Sequence, residues 1–547
     1  MLTSSDDAGA FNNTLTLLVG LVSFSLSALL FFVLRESKQK SNNTPHPWPK
    51  VPGARFFIGN HLASGIGCIV DSLEEWARQY GSESGVYDCT LFGQTFVVIC
   101  NEEKASLLDK NRPYKIRKKA EVSAALESIA GCGLFTAEGE EWRKDRRLVG
   151  PFLNRNHVKD YMPSLQLVAG RLVDKWEETM ERDKIVKANS DLMSATLDVI
   201  SLVAYAKDIN SLLSEGGEGS RMAEDTKHLL GKSMYRILTR FPFWKIPIVG
   251  QYLDGSGWAR SRVRKSLRRI VQDYETSSVS KSEAENKRSF LGKLIMQSKQ
   301  ENTHVDSDRL IGNLLTFFVA GSETTFVTLG SALYQLCIDE TGLQEELAAE
   351  ALAMKGLKTG ADMDALNDGL PKLRSFMYEV LRIKGPASCM LMENHEPLEM
   401  DGVTLPPGTN FFWLLKYVTT LDPSKAQAEK STPRGPRGAP LGEFCPRRWL
   451  IETNDKDGAN NNIDGEDAQG TKLSVTTPSF QTGFRAFGSS LRVCPGRGLA
   501  EVQIMVFLAY IISKFEVELQ KGHPEVKLVT KIAQALDTDV QLVLKPR

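Results

Sequence analysis

The eight cysteines form no CxxC pair and no close cluster: Cys68, Cys89, Cys100, Cys132, Cys337, Cys389, Cys445 and Cys494 are scattered singly. This argues against a disulfide-stapled scaffold and a zinc site, and fits a reducing compartment. Neither sign of charge is in excess, with 67 Lys and Arg against 67 Asp and Glu, so the basic footprint of a nucleic-acid binder is missing. No internal repeat appears. Residues 429–440 and 451–478 have hardly a large apolar side chain and are rich in Gly, Asn, Asp, Lys and Pro. They read as mobile insertions, near 425–440 and 452–478, that carry no chemistry. The remainder is ordinary for a chain with a large core: 42% hydrophobic and 24% charged over 547 residues, a length that by itself suggests three or four domains.

Charge is absent altogether from residues 8–34, and residues 15–34 are nearly continuous apolar sequence. Twenty helical residues at about 1.5 Å each cover roughly the 30 Å of a bilayer's hydrocarbon core. Asp6 and Asp7 precede the run, and Arg35, Lys38 and Lys40 follow it. That asymmetry predicts a short lumenal N-terminus over 1–14, a transmembrane anchor over 15–34 and the bulk of the chain on the cytosolic side. A cleaved signal peptide is the rival; the acidic start and the long apolar run disfavour it. Residues 35–53 are first basic and then proline-rich (Pro45, Pro47, Pro49, Pro52), a stiff hinge that would hold a domain over the membrane.

Residues 86–91 and 95–100 flank Phe92, Gly93 and Gln94 as a β-hairpin rich in β-formers, with Asn101 as the N-cap of a helix. Residues 195–212 read as one buried helix. Residues 241–249 are aromatic and proline-broken, and read equally well as core or as a patch dipping into the membrane. Apolar residues at Leu310, Leu314, Phe317, Phe318, Leu329 and Leu333 predict a helix over 307–339, about 50 Å long, which must cross a domain. In its middle stands Ala320-Gly321-Ser322-Glu323-Thr324-Thr325. Small Ala320 and Gly321 would let a flat cofactor lie against the helix, while Glu323 and Thr324 supply a carboxylate and a hydroxyl that can move protons in a dry wall.

Three further groups carry chemistry. Trp142 and Arg146 share a helical face one turn apart, in a basic run where Lys144 belongs to solvent. Glu379 and Arg382 are an i, i+3 pair, alone worth a few tenths of a kcal/mol. Near the C-terminus comes Phe487-Gly488-Ser489-Ser490-Leu491-Arg492-Val493-Cys494-Pro495-Gly496, followed by a helix-like run over 499–514. A lone cysteine is usually a small buried hydrophobe. Between turn-permitting glycines and ahead of a helix N-terminus, however, Cys494 suits a thiolate held close to a flat cofactor, with Arg492 aimed at a carboxylate on its rim.

Phe487, Gly488, Arg492, Cys494 and Gly496 resemble the haem-binding signature of the cytochrome P-450 family, of the microsomal eukaryotic type; Ser490 stands where the family usually has a second glycine. The segment from Ala320 to Thr325 resembles the family's oxygen-activation motif. Trp142 and Arg146 resemble its propionate-holding pair. Glu379, Arg382 and Arg448 resemble its buried charge triad, a structural network, with Arg447 where the family often has glutamate. The resemblance covers residues 142–500 and implies a mainly α fold with a small β region, as one catalytic domain over 54–547 behind the anchor.

It also implies haem b with Cys494 as axial thiolate, Thr324 and Glu323 as the proton-handling groups, and Ala320 and Gly321 against the cofactor. The implied activity is insertion of one oxygen atom from dioxygen into a lipophilic substrate (fatty acid, sterol or terpenoid). Electrons would come from NADPH through a separate flavoprotein reductase, since no flavin or dinucleotide domain is apparent. The implied location is the endoplasmic reticulum membrane, spanned once. The basic residues around Trp142 would face an acidic electron donor. Residues 115–135, the stretch before Gln251, the long helix and residues 388–392 would line the pocket, and none of them announces a ligand. Two rivals remain: a reductase-independent lipid hydroperoxide isomerase or lyase, which needs no proton-delivery hydroxyl, and a non-enzymatic haem-binding sensor or membrane scaffold.

Overall fold

The computed structural model describes residues 46–547 apart from 55–58, 61–67, 92, 183, 215, 239–242, 247–249, 279–288, 301–306, 355–361, 421–440, 454–471, 477, 479–483, 531 and 532. The expected anchor over 15–34, most of the hinge, the first expected insertion and the centre of the second lie outside the described residues. So do 241–242 and 247–249 of the aromatic segment.

Helices of nine residues or more and all strands are labelled in chain order. Helix α1 (Ile69–Tyr80) leads into a hairpin, β1 (Val86–Leu91) and β2 (Gln94–Ile99), with Val86 opposite Ile99 and Leu91 opposite Gln94. Asn101 then caps α2 (Glu102–Lys110): its side-chain oxygen accepts the Lys104 N–H at 3.0 Å, satisfying one donor that a helix start leaves orphaned. There follow β3 (Ile116–Lys118), α3 (Ala120–Ala130), α4 (Gly139–Val149), α5 (Met162–Glu181), β4 (Val186–Lys187), α6 (Ala188–Tyr205), α7 (Glu218–Leu238), α8 (Ser256–Ser278), α9 (Phe290–Gln300), α10 (Ser307–Cys337), α11 (Leu343–Ala353) and α12 (Pro371–Lys384). The chain continues through β5 (Met390–Asn394), the small hairpin β6 (Leu398–Met400) and β7 (Val403–Leu405), then β8 (Asn410–Trp413), β9 (Leu450–Thr453) and β10 (Lys472–Val475). It closes with α13 (Arg497–Lys514), β11 (Phe515–Leu519), β12 (Leu528–Thr530), β13 (Gln534–Leu536) and β14 (Gln541–Pro546).

Most of the strands are short, and the largest sheet has five, in the order β1-β2-β8-β5-β3. Its role for the site is β3 against β5: Lys118 lies opposite Met392 and Arg117 opposite Glu393. The main core is helical. Helix α10 packs along α6 and against α12 and α13, and α12 also packs on α13. By length and composition α10 could cross a membrane (Asp308–Cys337, mean hydropathy 1.3), yet 67% of its most apolar stretch is buried within the protein, as a core helix should be.

Two expectations are corrected. The helix expected over 195–212 starts earlier and stops earlier, at Tyr205, where Ala206 turns left-handed (φ 53°). Asp198 explains the misreading: its buried carboxylate accepts the N–H groups of Ser211 (2.7 Å) and Leu212 (3.1 Å), so the returning loop is held as firmly as a helix would be. The second expected insertion is not irregular at its ends. β9 and β10 pair there, Leu450 opposite Val475 and Thr453 opposite Lys472, and Val475 packs on the core. In the aromatic segment Trp244 is buried, with Phe243 edge-on to it at 5.3 Å and the buried Arg236 guanidinium 5.6 Å from its ring.

Candidate active site

The loop before α13 is closed by its own backbone. Gly488 N–H donates to Arg485 C=O (2.9 Å), Cys494 N–H to Phe487 C=O (2.9 Å) and Val493 N–H to Ser490 C=O (3.2 Å). Gly488 has φ 71° and Ser490 φ 57°, so the serine takes the left-handed turn that the second glycine would have taken, at a cost of order 1 kcal/mol. Gly496 is different: its φ is −82°, and a Cβ there would lie 3.8 Å from the Cys494 sulfur. Burial raises the Cys494 thiol, opposed by the Gly496 N–H, the Arg146 and Arg497 cations and the Arg497 N–H. The side chain is nonetheless accessible. Both hold if the sulfur lines an interior space. The Phe487 ring lies 6.4 Å from that of Phe484, with the Arg497 guanidinium 5.5 Å from its centre.

The middle of helix α10 is mostly buried; Phe317, Ala320, Gly321 and Thr324 are half-buried at the spacing of a single helix face, and Val319 and Phe326 are half-buried off it. Thr324 Oγ1 donates to Ala320 C=O at 2.7 Å. Glu323 is buried, on the neighbouring face. Gly321 also serves packing: a Cβ there would meet Ile200 Cδ1 of α6 at 2.5 Å. Ala320 and Thr324 keep the open stripe.

Trp142 is buried on α4, and the Arg492 guanidinium stacks on its ring at 4.4 Å. Arg492 also donates to Ala137 C=O (3.0 Å) and pairs with the Glu138 carboxylate. Lys118 Nζ reaches the same carboxylate at 2.6 Å. Around them stand Arg112, Arg117 and Arg146, five cations in all against the carboxylate of Glu138 and, beside Arg112, that of Asp109. Burial first, and the Arg492 charge second, lower Arg112 to about 10 and Lys118 to about 8. Burial likewise lowers Arg146 and Arg492. The Nε atoms of Arg112, Arg117 and Arg492 are buried without a hydrogen-bond partner. A buried excess of cations with orphaned donors is the signature of a polyanionic ligand. With an accessible thiol and a wall of small residues nearby, it fits haem and its two carboxylates.

The structure also brings together Glu379, Arg382 and Arg448. The fully buried Glu379 carboxylate accepts from Arg382 (2.7 and 2.9 Å), Arg448 Nε (3.2 Å), Trp449 Nε1 (3.0 Å) and the Cys445 N–H (2.8 Å). Arg382 goes on to the C=O groups of Leu441, Glu443 and Thr419. Arg447 stays at the surface beside Glu346, 3.4 Å away. Sequence reasoning missed Arg112, Arg117, Lys118 and Glu138. The basic run Lys115–Arg117–Lys118–Lys119 was the available signal, but nothing local ties it to residue 492.

A profile of the Cytochrome P450 family matches residues 49–423 and 442–541 of the chain. Cytochrome P450 monooxygenase ALT8 of Alternaria alternata is 24% identical over 518 residues, 85% of this chain and 81% of that protein. Cytochrome P450 monooxygenase claU of Ampulloclitocybe clavipes is 24% identical over 91% of this chain and 90% of its own length. The Bifunctional cytochrome P450/NADPH--P450 reductase ALT2 of Alternaria alternata is 24% identical over 88% of this chain, which spans 39% of that longer protein. With the family matched across nearly all of the described residues, the chain belongs to the cytochrome P450 family and is a haem-thiolate monooxygenase of that type.

Proposed function

We propose that Cys494 is the axial thiolate ligand and that the enzyme inserts one atom of dioxygen into a C–H bond or double bond of a lipophilic substrate. The observation that carries this reading is the exposed Cys494, whose sulfur is served by the Gly496 and Arg497 N–H groups, beside a cluster of cations in which the Nε atoms of Arg112, Arg117 and Arg492 have no partner. When bound, haem would supply the dioxygen chemistry, with Cys494 as the residue that would hold its iron. The chain's own residues bind and control. Arg112, Lys118, Arg146 and Arg492, with Trp142, hold the haem carboxylates; Phe487 and Gly488 shape the loop beneath. Thr324 presents its hydroxyl on the open stripe of α10 and moves protons, its Oγ1 held by Ala320 C=O, with Glu323 as the acid behind it. Apolar Phe317 and Ala320 keep that wall dry.

Electrons come from NADPH through a separate flavoprotein reductase, a reading supported by the relative that carries a reductase in the same chain. The anchor over 15–34 and the hinge over 35–53 hold the catalytic domain, 54–547, on the cytosolic face of the endoplasmic reticulum, and deliver membrane-dissolved substrates: a fatty acid, sterol or terpenoid.

The test is product formation from fatty acids, sterols, terpenoids and lipid hydroperoxides, each with and without NADPH and reductase. Turnover that requires both names the substrate class. Turnover of hydroperoxides alone would replace this reading with an isomerase, and haem without turnover would leave a sensor.

A further inference from the structure

Glu138 immediately precedes α4, in extended conformation (φ −129°, ψ 167°), where an acidic side chain would ordinarily turn onto the first free N–H groups of the helix. It makes no such cap. Its carboxylate turns the other way, to Lys118 Nζ (2.6 Å) and Arg492, with the Lys118 N–H at 3.4 Å. The carboxylate therefore bridges β3 and the cysteine loop while sitting among five cations. Burial alone would raise it; Lys118 and Arg492 bring it below the usual carboxylate range.

We propose that Glu138 is a positioning residue of the haem site: it clamps Lys118 and Arg492 side by side so that the pair grips a haem carboxylate. Two buried cations repel, and each loses hydration. Between them a shared carboxylate offsets both costs and fixes their geometry, at the expense of one negative charge near the ligand. Arg492 cannot drift, because Trp142 and Ala137 C=O confine its other sides. Lys118 is held more loosely, its ammonium 6.0 Å from the Phe135 ring centre on a flexible stem, so the clamp acts chiefly on Lys118. The inference rests on haem being bound at Cys494.

Haem transfer from the full-length holoprotein to excess apomyoglobin tests it, with the carbon monoxide difference spectrum reporting thiolate ligation throughout. Glu138→Gln should release haem about tenfold faster, the loss of one charge-assisted contact, with its thiolate band intact. Glu138→Asp should stay within about twofold of wild type, which separates charge from mere filling of space. In a Lys118→Met background, Glu138→Gln should add little. Release from Glu138→Gln at the wild-type rate or slower would overturn the clamp. If Glu138→Gln does not fold, Lys118→Met decides: release about tenfold faster supports the clamp, and an unchanged rate overturns it. Wild-type protein without a thiolate band would instead sink the assignment of Cys494.

Discussion

Gly321 occupies the crossing of α10 and α6, where the missing Cβ leaves room for Ile200 Cδ1. Gly321→Ala should destabilise the fold by about 1–3 kcal/mol through overpacking, despite alanine's better helix propensity. Chemical denaturation would measure it, and Ile200→Ala in the same chain should recover part of the loss. Thr324 faces the open stripe instead, so its deletion should be a matter of chemistry. Thr324→Ala should keep haem and stability while most NADPH consumption ends in peroxide instead of product. Wild-type coupling in that variant would remove Thr324 from proton delivery. Cys494→Ala should lose the thiolate spectrum and turnover together. These residues differ in how visible they are in the sequence. Thr324 and Cys494 stand within their own motifs. Gly321's role depends on Ile200 in another helix, and no local pattern announces that contact.

Among elements, α12 is fastened to the segment after it by one carboxylate. Glu379 has no solvent exposure, and its carboxylate accepts from four donor groups at once. Glu379→Gln leaves the Arg382 and Arg448 charges without their counter-ion and should cost about 3–5 kcal/mol, read as lost soluble protein or a lower melting temperature. The hairpin β9–β10 allows the opposite experiment. Thr453 and Lys472 are cross-strand partners, so residues 454–471 leave and return at one point. Replacing them by Asn-Gly, which closes a two-residue hairpin, should preserve the haem spectrum and the melting temperature within a few degrees. Runs of β-formers made β1 and β2 legible in advance, apolar residues at helical spacing did the same for the long helix, and Asn101 marked its own helix. The paired ends of the insertion were hidden by their polar surroundings, and the end of α6 by Asp198, which acts from inside the helix on residues beyond it.

For the whole molecule, residues Pro49–Arg547 make one compact unit. A chain beginning at Pro49 should therefore bind haem and melt as the full chain does. It should also stay in the supernatant after an alkaline carbonate wash that leaves the full chain with membranes, if the anchor lies at 15–34. The cation cage belongs to this scale as well. Arg492 and Ala137 meet across 355 positions, and neither end suggests the other until the chain is folded. The packing of α10, α12 and α13 on one another is likewise long-range in sequence. The wall that carries Thr324 and the helix that follows Cys494 are members of one braced triangle. Their separation is thus set by helix-to-helix contact, so a ligand held at Cys494 would meet walls whose spacing the core itself fixes.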